Sequence, residues 1–285
     1  MPCYTFNMAG ICIQLDTPFS VAFGAETAPF LTQTHVHCQS CIVFRAETEL
    51  PAVPKDGRWV QDRCYAVYDG SNAIFVRIGP DEAPYALITE RPDGYLCRYI
   101  PEFEKSFYDC IDILNLMGME GLLLRQGGML LHASLVRWNN RGILFSAPCG
   151  TGKSTQAELW EACMGSDTLN GDRAGIRCVD GVWKAFGMPF AGTSRIYRNE
   201  SAPIAAIVVL AQGAENRIQQ LQPVAAVRKL LPECSCRRWD PQFMDQMLSL
   251  LFSLVQQIPI YHLECRPDRG AVHLLHDTIT KEEIT

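Results

Sequence analysis

The chain has 285 residues, a length near two domains, and 48% of them are hydrophobic against 20% charged. That is ample apolar material for a packed core and excludes wholesale disorder. Lys and Arg total 25 and Asp and Glu total 31, a net charge of −6. Nucleic-acid binders draw most of their affinity from clustered cations, so this balance argues against one. The longest apolar run is Ile204–Ala211, far short of the ~20 residues of a bilayer span, and no membrane partner is expected. No Lys or Arg precedes Arg45, so the positive flank of a secretory signal is missing. Thirteen cysteines, an odd number, scatter from Cys3 to Cys265 and read as reduced thiols in a cytoplasm.

Residues 1–105 read as mostly strand. Tyr4–Leu15, His35–Ala46, Asp62–Tyr68, Ala73–Ile78 and Tyr85–Thr89 are short and often β-branched or aromatic. Turn clusters such as Asp69-Gly70-Ser71-Asn72 and Pro92-Asp93-Gly94 separate them. An antiparallel, β-rich N-terminal region serving recognition or an accessory role is expected, followed by a second domain over 106–285.

The pattern then turns helical. Ile111, Leu114, Met117, Gly121 and Leu124 give helical spacing over Tyr108–Arg125, which Gly127-Gly128 stops. Met129–Trp138 reads as a strand, Asn139-Asn140-Arg141-Gly142 as a hairpin turn, and Ile143–Ser146 as the return strand. A helix is predicted over Ser154–Met164. Strands follow at Thr168–Asn170, Gly175–Val179 and Val182–Phe186, the last two joined at Asp180-Gly181. Ile204–Ala211 is apolar on both alternating faces, as a central strand covered on both sides must be. Asp240-Pro241 opens a helix with a stripe from Met244 to Ile258, Tyr261–Cys265 is a strand, and Gly270–Thr278 a helix.

The most informative segment is Ala147-Pro148-Cys149-Gly150-Thr151-Gly152-Lys153-Ser154-Thr155. It fits the Walker A phosphate-loop pattern G-x-x-x-x-G-K-[ST] at every fixed position but the first, where Ala147 stands. Its setting, between an apolar strand and a helix, is the one the chemistry needs. Small residues let successive amides converge on phosphate oxygens, and the helix dipole faces the same point. Residues 149 to 155 are thus expected to bind nucleotide. Lys153 would reach the β- and γ-phosphates, and Ser154 would join a Mg²⁺ shell.

Asp172, in Leu169-Asn170-Gly171-Asp172-Arg173, lies nineteen residues beyond Lys153, room for one helix and one strand. It is the candidate carboxylate for Mg²⁺ or for an acceptor hydroxyl; a turn aspartate without a ligand is the alternative. His132 sits on the strand before the hairpin, where a packing histidine is the plain alternative to a catalytic one. Arg173, Arg195 and Arg198 are candidate contacts to phosphate or acceptor. In His35-Val36-His37-Cys38-Gln39-Ser40-Cys41, alternation puts His35, His37 and Cys41 on one strand face and Cys38 on the other, and Cys234-Ser235-Cys236 is remote in sequence. That weighs against a closed zinc site.

Leu131-His132-Ala133-Ser134, the short hairpin, Gly150-Thr151-Gly152-Lys153-Ser154-Thr155 and Leu169-Asn170-Gly171-Asp172 together resemble the HPr kinase/phosphorylase family. Its catalytic domain shares a phosphate-loop fold with ATP-dependent phosphoenolpyruvate carboxykinase. The resemblance covers roughly residues 128 to 280. It implies an α/β (α+β) fold, with a β-rich N-terminal region and a C-terminal HPr-kinase-like P-loop domain. It also implies that His132 lies near the metal or acceptor and that Asp172 fills the second position of the family's Asp-Asp pair. The first position here is Gly171, which departs from that pair. The chain further resembles HPr-kinase-like proteins associated with ribosomal peptide modification, some of which phosphorylate a peptide hydroxyl.

The resulting expectation is a cytoplasmic, ATP- and Mg²⁺-dependent kinase in which Lys153, Asp172 and His132 are catalytic, acting on Ser or Thr of a peptide or protein. A small-molecule alcohol kinase and a nucleotide-binding regulator or peptide carrier that transfers nothing are the alternatives. Homo-oligomerisation stays open.

Overall fold

The structure, a computed structural model, describes residues 2–32, 38–55, 59–62, 65–68, 73–79 and 81–282. The chain divides into two units, Met1–Leu122 with Arg237–Gln242, and Leu123–Cys236 with Phe243–Thr285. Residues 106–122 therefore fold with the N-terminal strands.

The N-terminal unit begins with β1 (Cys3–Met8) and β2 (Ile11–Asp16), a hairpin where one strand was expected over Tyr4–Leu15. Ala9 and Gly10 take positive φ, 52° and 71°, and turn the chain so that Met8 faces Ile11. Such a two-residue turn matches the strand twist. The remaining strands are β3 (Ser40–Ala46), β4 (Trp59–Asp62), β5 (Tyr65–Tyr68), β6 (Ala73–Val76), β7 (Ala86–Arg91) and β8 (Gly94–Tyr99). The last of these carries no expectation above. The main sheet has the order β1-β2-β3-β8-β7-β6, and β4 pairs β5 separately. It is mixed where an antiparallel sheet was expected, because β3 runs parallel to both β2 and β8. The long connections before and after β3 supply the crossovers that parallel pairing needs. Gly94 is required where it is: a Cβ there would collide with the backbone of Cys41.

Phe19, Phe44, Tyr99 and Phe107 fill the centre of this unit, with Phe44 and Phe107 edge to face at 5.1 Å. A single helix over Tyr108–Arg125 is replaced by α1 (Cys110–Met117) and α2 (Met119–Arg125), because Gly118 adopts φ +67° between them. Arg237, 4% exposed, pairs with Glu90 and Glu120 and donates to the Tyr95 hydroxyl at 2.7 Å. Those partners hold its guanidinium above the usual arginine value, against the burial that pulls it down.

The C-terminal unit follows the predicted order closely. It contains β9 (Gly128–Trp138), β10 (Arg141–Ser146), α3 (Lys153–Met164), β11 (Asp167–Asn170), β12 (Arg173–Val179), β13 (Val182–Phe186) and β14 (Ser201–Gln212). Then come β15 (Arg217–Gln220), α4 (Pro223–Leu230), α5 (Pro241–Gln257, with its unit from Phe243), β16 (Ile260–Cys265) and α6 (Arg269–Glu282). Asn139-Asn140 and Asp180-Gly181 take the positive φ that their hairpins demand. No strand at β15 or helix at α4 was expected; both are short, four and eight residues.

The sheet order is β10-β9-β12-β13-β14-β16-β15, with β11 on β9 and a further β10–β14 pairing. β14 runs parallel to β10 and β16, and antiparallel to β13 at its start. Its two faces are both covered, as the apolar run requires. Ala206, Val208 and Leu210 pack with Trp160 of α3 and Leu275 of α6; Ile207 and Val209 pack with Met247 and Leu251 of α5. Each buried Val, Leu, Ile or Met among them is worth about 1.5–3 kcal/mol. The parallel strands thereby end together at Ser146, Gln212 and Cys265, the carboxyl ends where open α/β sheets bind ligands. No helix among the described residues is long and apolar enough to cross a membrane.

Candidate functional site

The loop 147–152 leaves β10 and enters α3 directly. Ala147 is buried, so the methyl that replaces the pattern's first glycine packs in the core behind the loop. Gly150 and Gly152 take φ +79° and +117°, and a Cβ on either would meet nothing within 4 Å. Both glycines thus provide conformation and leave open space in front. The first amide of α3 bonded back is that of Gln156, to Gly152 O at 2.9 Å, and no side chain caps the helix. The amides of Lys153, Ser154 and Thr155 precede it at the positive end of the helix dipole, the arrangement that binds anions.

A cavity of about 420 Å³ opens beside the loop, between Gly150–Gly152 and the ends of β14 and β16. Gln156 is 3% exposed on its wall; its amide donates to Cys265 Sγ at 3.3 Å while its Oε1 has no partner. Cys149, Ser154 and Thr155 are exposed.

Lys153 folds back on the loop, with Nζ donating to Ala147 O at 2.7 Å and Pro148 O at 3.3 Å. At 7% exposure, burial pulls its ammonium below the usual lysine value, opposed by the charges of Glu233 and Asp172.

Asp172 stands at the turn into β12. Its amide donates to Asn170 Oδ1 at 3.1 Å, and the Asn170 amide group reaches Met188 O at 2.8 Å, fixing the turn. Ala133 N–H donates to Asp172 O at 2.8 Å and Ser134 Oγ to Gly171 O at 3.0 Å, binding the turn to β9. His132 projects from β9 beside it, its carbonyl taken by Ser146 Oγ at 2.9 Å. His132 Nε2 lies 3.4 Å from Asp172 Oδ1, and Nδ1 lies 2.9 Å from Glu233 Oε2. The hydrogen bond from His132 chiefly holds the Asp172 carboxyl below the usual range. Burial opposes it, and Arg173 and Lys153 assist.

The structure thus brings together Lys153, Asp172 and His132 and adds Glu233, which sequence reasoning missed. Glu233 lies 101 residues from His132, and no spacing signals it. Arg173 joins the edge of the cluster, with Nε 3.5 Å from Asp172 Oδ2 and its guanidinium 5.5 Å from the Phe190 ring centroid. Arg195 is exposed at φ +53° after a short 3-10 turn, Gly192–Ser194. Arg198 pairs with Asp167 at 3.9 Å, an aspartate that also receives Arg137. At Gly171, where the resembled family has its first aspartate, a Cβ would collide with Ser194 Oγ, which Ala191 O holds at 2.7 Å.

His35 and His37 lie outside the described residues. Among the described residues no group of three or more His, Cys, Asp or Glu is arranged to hold a metal ion. Cys38 packs against Cys12 instead, their sulfurs 2.7 Å apart.

Residues 113–268, more than half of the chain, match the family described as SynChlorMet cassette protein ScmC. The chain belongs to the ScmC family. The ScmC match takes in the loop, His132, Asp172 and Glu233, and overlaps the stretch on which the HPr kinase resemblance rests. Among solved structures the chain is similar to the Hpr(Ser) kinase/phosphatase from Coxiella burnetii. The identity is 11%, over 54% of this chain and 89% of that chain, with a TM-score of 0.30. No curated protein sequence matches significantly.

Proposed function

We propose that the C-terminal unit binds Mg²⁺·ATP and transfers its γ-phosphoryl group to a hydroxyl, that of Ser or Thr in a peptide or protein. The observation that carries this reading is the strand–loop–helix junction at 147–153. Its glycines line the cavity, and a buried lysine feels the charge of the aspartate in a His–Asp pair. Gln156, whose Oε1 is buried without a partner, lines the same cavity. The exposed Ser154 and the Asp172 carboxylate would supply oxygen donors, which suit Mg²⁺.

In this reading residues 149 to 155 cradle the phosphates through backbone amides, and Lys153 exchanges its two loop carbonyls for phosphate oxygens. Mg²⁺, when bound, offsets the charge on the transferring phosphates. The acceptor oxygen bonds to the γ-phosphorus, the bond to the bridging oxygen breaks, ADP leaves, and the hydroxyl proton is released. A carboxylate held below the usual range is a weak base, so Asp172 chiefly orients the acceptor. Arg173, paired with Asp172, would stabilise the outgoing charge; Arg195 is exposed, whereas Arg198 is engaged by Asp167. The N-terminal unit acts as the accessory module that recognises the acceptor, and the reaction belongs in a cytoplasm.

A second reading rests on Gly171, whose missing carboxylate favours a regulator that binds nucleotide without transfer. Calorimetry with Mg²⁺·ATP, followed by ADP release in the presence of peptide and of alcohol metabolites, separates these. No heat of binding removes both readings, and heat without ADP release leaves the regulator. Release with metabolites alone reassigns the acceptor.

A further inference from the structure

The chain lacks the first of the two carboxylates at Gly171, and Ser194 fills the space such a side chain would need. A second carboxylate nevertheless reaches His132 from another segment. Glu233 ends the 3-10 turn Leu231–Glu233, and its side chain is 13% exposed. The turn is pinned to β9 on its far side. Leu131 bridges Cys234, and Ser235 N–H donates to Leu130 O at 3.0 Å. With the residues just after Glu233 tied to the two residues just before His132, the Glu233 carboxylate stands 2.9 Å from His132 Nδ1 while Nε2 faces Asp172.

We propose that Glu233 is a positioning residue of this site, acting through His132 on Asp172. The inference rests on the phosphotransferase reading and deepens it. By accepting a hydrogen bond from Nδ1–H, Glu233 fixes the plane of the imidazole and keeps Nε2 aimed at Asp172 Oδ1. The ring in turn holds the Asp172 carboxylate toward the loop, where Lys153 feels both carboxylates. The acidic pair of the site is then Asp172 and Glu233 on either side of His132, in place of two consecutive residues. Outer partners that orient a functional side chain in this way typically carry 10–100-fold effects when removed.

The test uses the full chain, with ¹⁵N spectra of the imidazole rings and His132→Asn to assign the signal. In the wild type, His132 shows Nδ1 protonated; in Glu233→Ala that signature is lost. ADP release from Mg²⁺·ATP with water as acceptor falls about 10–100-fold, while the calorimetric affinity for Mg²⁺·ATP stays within about twofold. Glu233→Gln, which keeps an acceptor oxygen and the same shape, recovers part of the rate. An unchanged ring spectrum in Glu233→Ala overturns the inference, as does a loss of Mg²⁺·ATP affinity that matches the loss of rate. If the wild type releases no ADP with water, peptide or alcohol metabolites yet the ring signature still moves in Glu233→Ala, the phosphotransferase reading fails and the placement of His132 by Glu233 stands.

Discussion

Two buried cations show how differently the units use charge. In the N-terminal unit Arg237 meets two carboxylates and a phenol, all within the same unit, and its charge is neutralised in place. In the C-terminal unit Lys153 is about as buried, yet its direct partners are two backbone carbonyls of its own loop. Fixed carboxylates commit a cation to the fold, since removing either side strands a buried charge. Neutral carbonyls satisfy an ammonium while leaving its charge available to an incoming anion. The contrast predicts that damage at Arg237 reads out as stability and damage at Lys153 as turnover.

The largest effect tests the first half of that statement. Arg237→Ala leaves Glu120, whose side chain is 8% exposed, without its counter-charge. It should cost the N-terminal unit about 3–5 kcal/mol in chemical denaturation. Adding Glu120→Gln should recover part of the loss. Mg²⁺·ATP binding, measured below the lowered transition, should be unchanged; a parallel loss of binding would break the distinction between the units. Lys153→Ala tests the other half. It should reduce phosphoryl transfer about 100- to 1,000-fold, the scale for removing one preorganised charge donor. Its unfolding midpoint should stay near that of the wild type. A variant that unfolds with undiminished turnover would reverse the assignment.

Gly171→Asp sharpens the comparison from within the site. It restores the consecutive carboxylates of the resembled family, but Ser194 must move with the 3-10 turn that carries it. Overpacking of this kind typically costs about 1–3 kcal/mol. Pairing it with Ser194→Gly should relieve most of that cost in thermal unfolding. If the single variant is as stable as wild type, steric exclusion by Ser194 is not what keeps residue 171 a glycine.

Periodicity sufficed where one face or both faces of an element are buried. The run Ile204–Ala211, the hairpin at Asn139-Asn140 and the loop before α3 stand as read, because local pattern and tertiary packing agree there. It failed at single backbone reversals. Ala9-Gly10 and Gly118 interrupt patterns that look continuous, and only the φ values reveal the breaks. Parallel pairing of β3 was hidden too, since strand direction depends on a long connection without sequence signature. In the candidate site, Lys153 and Asp172 were singled out by motif and spacing and His132 by the family resemblance. The structure brings His132 and Asp172 together, with Lys153 feeling the charge of Asp172. Glu233 was not singled out: nothing in Leu231-Pro232-Glu233 distinguishes it from a solvated turn until Leu131 and Cys234 are seen to bridge.

The smallest expected effect concerns acid. Folding lowers the Asp172 pKa, chiefly through His132, so its ionised form is the one the folded state favours. Its contribution to stability is therefore complete above the unfolded-chain value of about 3.9 and is lost as pH falls through the lower folded value. Wild type should gain over Asp172→Asn in chemical denaturation as pH rises to about 5, and the gap should close as pH falls below about 4. A gap that widens in acid would mean the carboxyl is stabilised in its protonated form, which would contradict the His132 contact. The same difference measured with Mg²⁺ present should hold a larger gap across the neutral range if the carboxylate is a metal ligand, because a ligand bound only by the folded state adds to its stability.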